Sequence, residues 1–219
     1  GRSIGGAYEF FGLDGANVRL AVDYGITDFL NVGIGRSSFQ KTYDGYVKFR
    51  LLQQQSGIKN IPVSVVGFSS IAINTLRNNE QDISFSSRLD YTYQLLIARK
   101  FSNWLSLQLT PTLVHRNLVE KRENPNDLFA LGLGGRYKFN QRVSLNAEYF
   151  LRTNAETESL YNDAFAIGVD IETGGHVFQL HLTNAQSMIE EGIITETTGD
   201  FFSGYIHFGF NISRVFQLK

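Results

Sequence analysis

SGYIHFGFNISRVFQLK, residues 203–219, puts an apolar side chain at alternate positions: Ile206, Phe208, Phe210 and Ile212, then Phe216 and Leu218. Between them stand His207, Gly209, Asn211, Ser213 and Gln217. Period-two alternation of this length is a β-strand with one apolar and one polar face. About ten such residues, tilted, cross the hydrocarbon core of a bilayer. An aromatic-rich strand of this kind suits the wall of a membrane β-barrel, where apolar side chains meet lipid and polar ones face inward.

The same pattern recurs upstream. Val18, Leu20, Val22 and Tyr24 alternate with Arg19, Ala21 and Asp23, and Val47, Phe49 and Leu51 with Lys48 and Arg50. Leu105, Leu107 and Leu109 form another such row, as do Val143, Leu145, Ala147, Tyr149 and Leu151. Eleven strands can be counted in all, with no amphipathic helix between them. The predicted fold is all-β: an antiparallel up-and-down transmembrane β-barrel, one domain over residues 1–219.

Short turns are predicted at 28, 56–60, 102–103, 140–142 and 173–175. They alternate with longer loops at 41–44, 76–85, 118–127, 154–163 and 185–202. Short turns on the periplasmic side and long loops outside are the layout of bacterial outer-membrane barrels. Strand parity then predicts one more strand ahead of Gly1, giving twelve, an even number with both termini periplasmic. Phe29, Phe101, Trp104, Phe139 and Phe216 fall by the short turns, and Phe39, Tyr43, Tyr149, Tyr161 and Tyr205 by the long loops. Two aromatic girdles at the interfaces are expected of a membrane barrel.

Composition narrows the function classes. A net charge of -1 over 219 residues gives no basic footprint for nucleic acid. There is no cysteine, which removes disulfides, zinc–thiolate sites and thiol catalysis. No apolar run reaches the length of a membrane helix, which says nothing against strands that hide their apolar residues at alternate positions. Met188 is the only methionine, so a signal peptide is expected upstream of Gly1.

Two stretches carry a resemblance beyond architecture. GGAYEFFGLDGANVRLAVDYGITDFLNVGIGRSSFQKTYDGYVKFRLL (5–52), and GGHVFQLHLTNAQSM (174–188) with GYIHFGFNISRVF (204–216), resemble a Bacteroidota family of outer-membrane β-barrel proteins. That family is defined only as a domain of unknown function. The resemblance implies a bacterial outer-membrane location and a further strand-like segment before the GGAYE-like loop. It implies no activity and brings no catalytic residues.

Alternation assigns Arg19, Asp23, Lys48, Arg50, Asp90, Arg116, Arg136, Lys138, Glu148, Arg152 and Asp170 to the lumen, with Arg88 beside them. Basic residues outnumber acidic ones there by eight to four, so an open lumen would favour anions. The competing reading is that these charges cross-link a narrow wall and block it. Smooth alternation suggests no inserted plug. His181 and His207 are expected to lie several rungs apart, too far to share a metal. No serine stands in a nucleophile motif, and the loop acids Glu156, Glu158, Asp163, Glu190, Glu191, Glu196 and Asp200 follow no calcium-loop pattern. No catalytic residue, metal or cofactor is expected. Pairs such as Gly33-x-Gly35 and Gly132-x-Gly134 lie within strands, where they leave room for bulky lumen neighbours.

The leading expectation is therefore a small passive pore with a net-positive lumen, or a barrel subunit of a larger envelope complex. The alternative is a non-conducting barrel that docks partners through its wall or long loops, with a lipid hydrolase ranked lower. Expected partners are outer-membrane lipid and lipopolysaccharide and other outer-membrane or periplasmic proteins, not nucleic acid.

Overall fold

A computed structural model describes residues 15–76, 83–119, 124–154 and 160–216. Residues 1–14 of the stretch 1–16, which the sequence reads as a loop, Glu156 and Glu158, parts of the loops around 76–85 and 118–127, and Leu218 lie outside them. Eleven strands form one antiparallel sheet in sequence order. They are β1 (Arg19–Gly25), β2 (Leu30–Ser37), β3 (Thr42–Leu52), β4 (Ser64–Asn74), β5 (Leu89–Lys100) and β6 (Leu105–Arg116). β7 (Asp127–Lys138), β8 (Val143–Arg152), β9 (Ala164–Thr173), β10 (His176–Thr183) and β11 (His207–Arg214) complete the order. The architecture is a membrane β-barrel wall, as the alternation implies.

Burial follows the two faces. Along β6, Leu105, Leu107 and Leu109 are exposed to the surroundings while Thr110, Thr112 and Val114 are buried. Exposed apolar side chains on a sheet are a liability in water and the expected surface in lipid. Phe29, Phe101, Trp104, Phe139 and Phe216 are exposed at one end of the wall, and Tyr43 and Tyr205 at the other.

The strict short/long rhythm of connections fails at one pair. β2 and β3 are joined by residues 38–41 alone, whereas residues 53–63 join β3 to β4. Thr42–Asp44, read from sequence as loop, is strand, because Asp44 faces inward and pairs with Arg19 instead of making a turn. The 53–63 connection is itself ordered. Gln55 and Ile61 form a bridge, and the Gln54 side chain exchanges hydrogen bonds with the Lys100 backbone.

The glycine pairs do make room. A Cβ on Gly33 would collide with the Tyr46 ring and come within 2.5 Å of the Asp23 carboxylate. One on Gly132 would meet Phe150 at 2.6 Å.

The sheet has two free edges among the described residues: β1 pairs only with β2 and β11 only with β10. In an antiparallel meander of odd count, these two edges run in the same direction.

Candidate functional site

The connection between β10 and β11 folds back over the inward face of the barrel. It carries a short helix, α1 (Glu190–Thr195), whose Ile194 is 1% exposed. Ile194 packs with Val114, Ala130, Phe150 and Ala164 from β6 to β9, and Leu128 and Ile193 pack against this cluster. The smooth alternation that suggested no inserted plug missed this one. One signal for it was present: near the ends of β6–β9 that carry α1, inward positions become apolar, so both faces are apolar there.

Polar contacts fix the plug to several walls. The Asn184 amide donates to the carbonyls of Asp163 (2.9 Å) and Gly199 (2.7 Å), and its oxygen accepts from the Phe165 N–H at 2.8 Å. The Asn162 N–H donates to the Thr197 carbonyl at 2.6 Å. On the far side, Asn74 donates to Gln40 at 2.6 Å and Gln40 donates to Glu196 at 2.9 Å.

Two adjacent glutamates on α1 reach different walls. Glu191 is buried, with its carboxylate 3.7 Å from Arg116 and accepting from Thr195 Oγ1 at 2.6 Å. Burial pushes the Glu191 carboxyl up to about 7; Asp90 adds to the rise, while Arg116 and the Thr195 hydrogen bond oppose it. The Glu190 carboxyl is also raised by burial, against the fields of Arg19 and Lys48.

The inward positions predicted from sequence carry a ladder of ion pairs. Arg19 pairs with Asp44, donating from Nε at 3.1 Å to Oδ1. Asp23 lies on the same face, beside Gly33. The Lys48 ammonium sits 4.6 Å from the centre of the Tyr46 ring and 5.9 Å from that of Phe68. Arg50 turns to the rim, bonding the Asp28 carbonyl and Gln53. Asp90 stands directly across from Arg116 in the β5–β6 register. Arg136 donates to Glu172 at 2.6 Å and to Ser144 at 2.9 Å, with Asp170 3.9 Å away.

Lys138 lies opposite Ser144 on the same face. Arg152 is 3.5 Å from Asp163 and donates to the Tyr161 carbonyl. Arg88, by contrast, bonds the carbonyls of Asn74, Leu76 and Ile83 near the connection. Asp44, Asp163, Glu172, Glu190 and Glu191 are the carboxylates that strand parity left out. Asp44, Glu172 and Asp163 pair with Arg19, Arg136 and Arg152, so the surplus of positive charge counted from sequence is not what the interior presents.

Below α1 lies a cavity of about 500 Å³ bounded by β5 to β11. Its polar lining includes Gln108, Arg136, Asn146, Glu148, Asp170, Gln179, His181 and Asn211. His181 fits because both register partners, Gly168 and Gly209, lack side chains. A Cβ on Gly209 would collide with its ring. His207 pairs with Thr183, two residues from His181, so the histidines occupy neighbouring rungs of one face. Sequence reasoning set them farther apart because it lacked the register. Even so, no group of three or more His, Cys, Asp or Glu among the described residues could hold a metal.

An eleven-strand wall, a lipid-type exterior and a plugged polar interior describe a membrane barrel. The family profile described as "Membrane bound beta barrel domain (DUF5777)" matches residues 1–216. The chain belongs to this family. No curated protein matches this DUF5777 chain in sequence.

Among solved structures, the NanC porin in its rhombohedral crystal form matches with a TM-score of 0.62 and 7% identity, covering 91% of this chain and 93% of that one. The KdgM porin matches with a TM-score of 0.53 and 12% identity, covering 78% and 84%. KdgM in complex with disordered oligogalacturonate gives a TM-score of 0.53 and 12% identity, over 77% and 83%. At such identities the likeness shows the fold alone, which is porin-like.

Proposed function

We propose that this DUF5777 barrel is a narrow passive pore of the bacterial outer membrane for small polar solutes, constricted at one mouth by residues 184–206. The observation that carries this reading is the polar cavity beneath α1, which continues the inward faces of β5–β11 toward the end away from the plug. A sealed, purely structural barrel would gain more by filling that space with packed side chains. The neutralised ion-pair ladder argues for weak charge discrimination, so the acidic saccharide bound to KdgM is not carried over to this chain.

Lipid and lipopolysaccharide would surround the wall. In lipid the outer edges of β1 and β11, which run in the same direction, need a partner antiparallel to both that satisfies their unpaired backbone groups.

A second reading has its own support. Ile194 sits in a closed apolar seat, as a permanently shut barrel would require, and such a barrel could serve as a subunit of an envelope complex. The lipid-hydrolase reading gains nothing at the rim. There His115 holds Asp127 at 2.6 Å, but its other nitrogen meets Asn117 at 3.1 Å, not a serine.

Conductance of the full-length mature protein in a planar bilayer tests the proposal. Small stable openings that grow when residues 186–198 are replaced by a short Gly-Ser linker are expected. A correctly folded barrel that stays silent with and without that segment overturns the pore and leaves the sealed barrel.

A further inference from the structure

The charges lining the cavity beneath α1 do not cancel. The lining holds one guanidinium, Arg136, against two carboxylates, Glu148 and Asp170. Arg136 is already held by Glu172 at 2.6 Å from outside the cavity, and Asp170 accepts from Gln179 at 2.9 Å. Glu148 has no such commitment. It is half-buried in the middle of β8 and makes no hydrogen bond or ion pair among the described residues.

The register explains why nothing reaches it. Glu148 stands between Gly134 on β7 and Ala166 on β9, neither of which carries a polar side chain. The cations of the opposite wall are engaged elsewhere, Arg19 by Asp44 and Lys48 over the rings of Tyr46 and Phe68.

We infer that Glu148 sets the charge preference of the passage, making it favour small cations over anions. The inference rests on the pore reading above. It reverses the preference expected from counting inward charges in sequence, because within the cavity lining pairing removes the one guanidinium and leaves two carboxylates, of which Glu148 is the one with no hydrogen-bond partner among the described residues. An uncompensated fixed charge in a passage with low-dielectric walls attracts counter-ions and repels co-ions. The same glycine and alanine neighbours that leave Glu148 unpaired also widen the cavity around it, so the charge faces the space an ion would cross.

The test is the reversal potential of the full-length protein in a planar bilayer under a potassium chloride gradient, compared with that of Glu148→Gln. Wild-type openings should favour potassium. The substitution should lower the potassium-to-chloride permeability ratio about sixteenfold, since a unit charge some 5 Å away in water favours the cation and disfavours the anion by about fourfold each. Glu148→Asp should keep most of the preference. If Glu148→Gln fails to fold, Ala166→Lys, which sets a cation on the neighbouring strand, should lower the ratio likewise. A conducting barrel that prefers chloride, or whose ratio is unmoved by these changes, overturns the assignment while the pore stands. A barrel silent with the plug both present and removed overturns both.

Discussion

The two ends of the barrel interior are built from the same strands and differ in what those strands turn inward. Near α1, β6 to β9 present Val114, Ala130, Phe150 and Ala164. Toward the other end the same four strands present Ser106, Arg136, Asn146 and Asp170, around space instead of packed chain. An apolar inward residue in a membrane barrel faces neither lipid nor water; it needs a partner from the chain itself, and here that partner is Ile194. The difference teaches where this barrel is closed by packing and where it is left wet.

The comparison breaks most directly at Ile194. Ile194→Asp sets a carboxylate in a seat of four apolar side chains with no cation among them. Burying such a charge is among the costliest single substitutions, on the order of 4 kcal/mol or more locally. The plug should leave its seat while the wall, whose ladder does not use Ile194, keeps its heat-modifiable migration in detergent gels. Conductance of the variant should approach that of the barrel with residues 186–198 replaced. Ile194→Ala is the milder version, at about 2–5 kcal/mol.

Asn184→Ala comes next. It removes two hydrogen bonds that tie the plug to the β8–β9 connection and β9, and a third to Gly199 within the plug, at about 1 kcal/mol each. Proteolysis within residues 185–203 should become faster while the strands stay protected. Unchanged proteolysis would mean that the apolar seat alone holds the segment.

How much of this was legible in the sequence depends on the physical signal each part emits. The strands were readable because lipid on one side and polar groups on the other impose period two over eight to twelve residues, as in β5 and β6. The plug was not, since a six-residue helix shows too little of any period and its burial depends on strands far away in sequence. Its seat was readable in principle from Val114, Ala130, Phe150 and Ala164, which stand where polar residues belong. Asp44 misled because aspartate favours turns. Only the register reveals that Asp44 answers Arg19 across β2, with Gly35 between them giving room. Charge counting failed for the same reason: parity gives the face, and pairing needs the register.

The smallest expected effect sharpens the comparison at the edge of the plug, through acidity. Glu191 faces Arg116 and Asp90 on the β5–β6 wall and Thr195 on its own helix, while Glu190 faces Arg19, Lys48 and Asp44 on the other side. Burial raises the Glu191 carboxyl to about 7, against an ordinary value of 4.5. A carboxyl raised in the seated state binds its proton more tightly there than in the released state. Its contribution to seating is therefore fully present below about 4.5 and is lost as the pH rises through about 7. The plug should sit most firmly in acid and loosen toward neutral pH, so mean conductance should rise between pH 5 and pH 8. Arg116, 3.7 Å away, offsets part of the cost of ionisation and keeps the change below that of either substitution. Glu191→Gln, neutral at every pH, should flatten the profile at its acid-side level. A profile that stays steep in Glu191→Gln would move the titration to Glu190 or to the wall. One that falls with rising pH would show that the pair with Arg116 outweighs burial, making the ionised glutamate a clasp that holds the plug.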